Sequence, residues 1–158
     1  MSEAKFSTRV ADLKDMLAII ALEDGLYRSE NSVGLSNEQF VRYFATNTRL
    51  LTADERVFFV AEIAKKRGKT ELVGFVSMDS MIDDYTGEMF GRGVHLFVSP
   101  QYRKRGIAEE LIEKIIAFAK EKGSKFILVG TTEETRGIYE KRKFKSAGVI
   151  LKRELESE

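Results

Sequence analysis

Cysteine is absent from the 158 residues, and proline and histidine occur once each. Without thiols the chain forms no disulfide, no thiolate nucleophile and no zinc–thiolate site, which leaves its redox compartment open. One histidine rules out a His-based metal cluster, so no metal is expected. With a single proline, no internal repeat and no low-complexity segment, nothing marks a linker, and residues 1–158 are expected to form one domain. The longest apolar run, Met16 to Leu22, is far short of the ~18 residues a membrane span needs, and no signal peptide is recognisable ahead of it. A cytoplasmic protein that uses no membrane is the expectation. Charge of one sign is also missing: 26 Lys and Arg stand against 25 Asp and Glu, for a net +1, which gives no global reason to bind nucleic acid.

The most informative stretch runs from His95 to Gly123. His95-Leu96-Phe97-Val98 is an apolar strand that stops at Pro100, which cannot donate to a ladder. A basic loop, Arg103-Lys104-Arg105, leads through Gly106 into a helix with Ile107, Leu111, Ile115 and Phe118 on one stripe. Glu109, Glu110, Glu113, Lys114, Lys120 and Glu121 make the solvent side, and Gly123 suits the end. The first N–H groups of a helix lack internal partners and carry the positive end of the dipole, so this loop offers an anion site. Small residues at Gly106 and Ala108 let a diphosphate approach the backbone. An ordinary strand-to-helix turn with a solvated basic loop is the plainer alternative.

Val98-x-Pro100-x-Tyr102-Arg103-x-x-Gly106-Ile107-Ala108, followed by an amphipathic helix, resembles the acetyl-CoA-binding signature of the GCN5-related N-acetyltransferases, the GNAT family. Arg103, Gly106 and Ala108 fill the three fixed places of that signature. The resemblance implies an α/β (α+β) fold: a mixed, mostly antiparallel sheet of about six to seven strands flanked by about four helices, with a splayed parallel pair of strands that holds acetyl-CoA. It implies that the backbone of Leu96, Phe97 and Val98 bonds the pantetheine amides. It also implies that Arg103, Lys104, Arg105, Gly106, Ile107 and Ala108 hold the diphosphate.

Along the chain, Phe6 to Val10 reads as a strand. Asp12 with Asp15 caps a helix whose buried side is Leu13, Met16, Leu17 and Ile20, ending near Gly25. Ser36 with Gln39 is a capping box for a second helix with an apolar face of Phe40, Val41, Phe44 and Ala45. In the family such helices border the acceptor cleft, so the loop from Arg28 to Leu35 is a lid or merely a connection. Val57 to Ala64 and Thr70 to Met78 are adjacent antiparallel strands. Gly91 and Gly93 then mark a bulge or a close backbone approach in the strand that ends at Val98. Lys125 to Gly130 reads as a strand buried on both faces, reached by a βαβ crossover. Thr131 and Glu134 read as a further capping box. Tyr139 to Phe144 resembles the family's Tyr-x-Lys-x-Gly-Phe motif, with Lys143 replacing glycine and Thr132 standing where the family often has Asn. Thr132 is thereby a candidate cofactor contact. Gly148 to Leu155 is read as a last strand.

The implied reaction moves an acetyl group from acetyl-CoA, as co-substrate, directly to a primary amine of a small molecule or protein in a ternary complex. Helical spacing alone makes Tyr139 a packing residue with its hydroxyl toward solvent, whereas the motif makes it the acid for the leaving thiolate. Where histone-type members carry a glutamate base, this chain has Arg92. Glu62, Glu88, His95 and water remain as alternatives for the base. Asp83, Asp84 and Glu88 would suit a cationic acceptor or are a solvated loop. Lys141, Arg142, Lys143 and Lys145 would meet the adenosine 3′-phosphate or are a solvated face. The rival reading is a non-catalytic acyl-CoA-binding sensor or interaction module, and the resemblance allows a homodimer through the terminal strands.

Overall fold

The computed structural model describes residues 5–155. Its centre is one five-stranded sheet in the order β1 (Phe6–Val10), β2 (Arg56–Ala64), β3 (Thr70–Ile82), β4 (Met89–Val98) and β5 (Ile127–Val129). All neighbours run antiparallel except β4 and β5, which are parallel. Helices α1 (Met16–Asn31), α2 (Asn37–Thr52), α3 (Ile107–Glu121) and α4 (Glu133–Glu140) complete the expected mixed architecture.

Period-two alternation in the strands builds two cores. Phe58, Val60, Phe75 and Phe97 pack under Met16, Ile19 and Leu22 of α1. Their neighbours Val57, Phe59, Val76, Met78 and Val98 pack under Ile107, Leu111 and Ile115 of α3 on the other face. The capping boxes at Asp12 and Ser36 both form, each with its reciprocal side-chain bond.

Several expectations are corrected. Gly25 does not end α1, which continues to Asn31. A Cβ at Gly25 would sit 3.0 Å from Phe97 Cζ, so this glycine lets the helix lie close on the sheet. Gly25→Val should lower stability by ~1–3 kcal/mol through overpacking, which a denaturant midpoint would report. The buried side of α1 is Met16, Ile19, Ile20, Leu22 and Glu23, while Leu13 and Leu17 are exposed. In α2 the expected apolar face is open, with Val41 64% exposed, and the buried residue is Asn47, whose Oδ1 accepts from Arg56 of β2 at 2.6 Å. That helix is therefore tied to the sheet by a polar contact.

The described residues hold five strands where six to seven were expected. Residues 148–155 carry no strand, and Val149, Ile150 and Leu151 are exposed. A strand needs a partner edge for its backbone groups, and among the described residues β5 pairs with β4 alone. β5 is consequently an edge strand, not one buried on both faces, with Leu128 42% exposed. No helix among the described residues is long and apolar enough to cross a membrane.

Candidate active site

The site begins at an irregularity in β4. Val76 of β3 pairs with Leu96 and Met78 pairs with Gly93, so Val94 and His95 together oppose Ser77. This is a β-bulge, and the His95 N–H reaches the Ser77 hydroxyl at 3.3 Å. β4 and β5 pair only from Gly91 to Gly93 against Ile127 to Val129. A Cβ at Gly93 would come within 2.7 Å of Val129 Cγ1, so glycine is required where the strands still touch. Past that contact β4 continues without β5 at its side. The result is a cleft of about 1160 Å³ walled by Val94 to Val98, Lys104, Ala108, Val129 to Thr132 and Tyr139.

The start of α3 lines this cleft. Gly106 is its N-cap at φ 83, with no side chain capping the first turn, and Lys104 before it is also left-handed at φ 61. The orphan N–H groups of that turn are thus available to an anion. A Cβ at Gly106 would meet no atom within 4 Å, so the space beside it is open. Arg103 lines the cleft, but its Nε donates to the Val98 carbonyl at 2.9 Å and its guanidinium lies 5.7 Å from the Phe97 ring centre. It pins the loop to the strand and occupies one of the acceptors assigned to pantetheine. Arg105 turns away, donating to the Gln101 carbonyl at 3.3 Å and lying over Tyr102. Leu96, Phe97, Val98, Arg103, Lys104, Ile107, Ala108 and Thr132 are brought to one cleft, while Arg105 and Gly106 are not among its lining residues.

Tyr139 of α4 also lines the cleft, buried to 7% exposure, with burial pushing its phenol up to about 12. The expected box at Thr131 and Glu134 does not form. Thr132 is the N-cap, and both threonine hydroxyls turn to Thr135, at 2.7 and 3.1 Å. The C-terminal turn forms despite the missing glycine. Lys143 N–H bonds the Glu140 carbonyl and Phe144 N–H bonds the Tyr139 carbonyl, with Lys143 at φ 66. This is a Schellman motif, and its accompanying apolar contact is the Tyr139–Phe144 pair, 5.3 Å between ring centres. Lysine occupies the place that favours glycine. Lys143→Gly should therefore raise stability by ~1 kcal/mol, read as a higher unfolding temperature.

Of the base candidates, Glu62 is bonded by Arg9 at 3.3 Å and lies outside the cleft. Glu88 is 3.8 Å from Lys125 and also outside it. His95 lines the cleft, and its Nδ1 pairs with Glu23 of α1. Arg92 is held by Asp79 at 2.7 Å, and Asp79 also takes Arg56 at 2.5 and 2.9 Å. Burial would raise the Asp79 carboxyl, but these two guanidiniums outweigh it and hold it below the usual carboxylate range. Glu23 was missed in the sequence because a lone acid on a helix is ordinarily a solvated residue. Its place one turn after Ile19 and Ile20, on the apolar stripe, was the available signal. Among the described residues no group of three or more His, Asp and Glu could hold a metal.

The bulged strand, splayed from its parallel neighbour, thus opens on an uncapped helix start. The model of the acetyltransferase (GNAT) domain matches residues 54–146, and the chain belongs to that family. An uncharacterised N-acetyltransferase of Methanocaldococcus jannaschii is 35% identical over 92 residues, covering 58% of this chain and 38% of that protein. The match therefore spans well under half the length of that relative. Among solved structures, a predicted acetyltransferase of Clostridium acetobutylicum, crystallised with acetyl-CoA, aligns at TM-score 0.79 and 17% identity over 95% of this chain and 96% of its own. Glucosamine-6-phosphate N-acetyltransferase of Arabidopsis thaliana aligns at 0.74 and 15% over 96% and 99%. At these identities the likeness is one of fold.

Proposed function

We propose that this protein transfers an acetyl group from acetyl-CoA to a primary amine of a small molecule or protein, by direct attack within a ternary complex. The observation that carries the reading is the cleft itself: a β4 edge free of β5 along its wall, lined also by the bare first turn of α3 and by Tyr139. The diphosphate lies on the N–H groups after Gly106, and the pantetheine arm runs beside Leu96 and Phe97. The amine nitrogen attacks the thioester carbonyl, and β4 N–H groups stabilise the oxyanion. The C–N bond forms, the C–S bond breaks, and the thiolate takes the Tyr139 phenolic proton, while a base takes the proton released by the amine. Residues 1–158 act in this reading as a single domain, supported by one sheet that joins β1 to β5. A cytoplasmic site of action goes with it, since the co-substrate is an intracellular thioester, and a homodimer contact would fall on the exposed apolar residues near Ile150.

Thiol release is the test. The chain has no cysteine, so a thiol-reactive dye reports free coenzyme A without background from the protein. Polyamines, amino sugars and lysine peptides form the acceptor panel. Amine-dependent thiol release is expected with at least one of these classes. If none accelerates it above the buffer rate, the transferase reading fails.

A further inference from the structure

Glu23 is the anomaly of the acceptor side. It stands on the buried stripe of α1 with 5% of its surface exposed, beside Ile19, Ile20 and Leu22. Its Oε1 pairs with Nδ1 of His95, and its Oε2 has no hydrogen-bond partner. A buried carboxylate is costly unless its charge is used or compensated. Tyr43 of α2 adds to this small polar pocket: burial and the neighbouring Glu23 charge hold its phenol protonated. His95 sits on the bulge, where β4 begins to leave β5, and 43% of its side chain is exposed toward the cleft it lines.

We propose that His95 is the base of the reaction, accepting the amine proton at Nε2, and that Glu23 is its positioning residue. This rests on the acetyl-transfer reading above. The pairing sets the ring in this proposal: with the proton on Nδ1, facing the carboxylate, the Nε2 lone pair is left for the cleft. Among the described residues no side chain bonds Nε2. As the amine attacks, its proton passes to Nε2, and the imidazolium that results is stabilised by the Glu23 carboxylate against its other edge. Sheet and helix hold the two ends of the pair, so the ring has one orientation. The nearby acid Asp79 is already neutralised by Arg56 and Arg92 and does not compete for the amine proton. Arg92, where histone-type relatives carry a base, is spent in that pair.

Two experiments separate this from the transferase reading. Because the chain has one histidine, ring-nitrogen NMR of the cofactor-free protein shows only His95. The parent should hold the Nδ1–H tautomer, and Glu23→Gln should let the neutral ring mix both. An Nε2–H parent, or a variant with an unaltered ring signal, overturns the role of Glu23 whether or not any amine is turned over. In steady-state kinetics His95→Ala should lose on the order of 10²-fold in kcat with the acetyl-CoA KM unchanged, and added imidazole should restore part of the rate. Glu23→Gln should lose kcat in the same sense, and Glu23→Asp should recover some of it. His95→Ala at the parental rate overturns the base assignment, and a lost rate that imidazole leaves unchanged also counts against it. His95→Ala leaves the buried Glu23 carboxylate without its partner, so if that variant fails to fold, His95→Ala combined with Glu23→Gln carries the same kcat and imidazole readout.

Discussion

Acetyl-CoA at ~100 times its dissociation constant should raise the unfolding temperature of this protein by roughly 5–10 °C, and Gly106→Leu should abolish that rise. A ligand at that excess adds about 2.7 kcal/mol to the native state, and a domain of this size shifts about 2–4 °C per kcal/mol. The variant acts through two effects that can be told apart. At φ 83 a leucine costs ~1–2 kcal/mol of backbone strain, which lowers the ligand-free midpoint by a few degrees. Its side chain would meet no protein atom at the Cβ, so it fills the open space over the first turn of α3. The readout is therefore the ligand-dependent increment, not the midpoint itself. An unchanged parent would remove the cofactor from this cleft. A variant that keeps the full increment would move the diphosphate away from α3.

The residues that announced this site did so through local chemistry. Pro100, Gly106 and the heptad-like stripe of α3 are signals a short window contains, and the bulge was foreshadowed by Gly91 and Gly93. The capping boxes at Asp12 and Ser36 are equally local, and both form as written. Gly25 misled because its packing partner, Phe97, is distant in the chain: glycine reads as a helix stop until a ring is seen pressed against it. The last strand misled for a related reason, since β propensity in residues 148–155 means little without an edge to pair with. Glu23 and His95 carry the same lesson for function. Each is unremarkable alone, and only the packing of α1 on β4 turns them into a pair.

Tyr139→Phe should reduce kcat by about 10²–10³-fold while leaving the acetyl-CoA-dependent thermal shift intact. The substitution is close to a pure removal of the hydroxyl. The ring packs edge-on against Phe144, at 74° and 5.3 Å, and phenylalanine keeps that contact along with the apolar half of the Schellman turn. Stability should change little, because the hydroxyl is not among the buried unpaired oxygens and no side chain among the described residues bonds it. Burial cuts both ways for an acid that serves a thiolate: it keeps the phenol protonated, and it makes the phenol a weaker donor. With the phenol pushed up to about 12, Tyr139 remains protonated across the working range, and the rate should show no alkaline fall attributable to it below about pH 10. The same measurement decides between an enzyme and an acyl-CoA-binding sensor. A sensor binds acetyl-CoA with either residue and has no turnover to lose, whereas an enzyme keeps binding and loses turnover. Full turnover in the variant would leave the transferase reading standing and return Tyr139 to a packing role, with the thiolate protonated from water in the cleft.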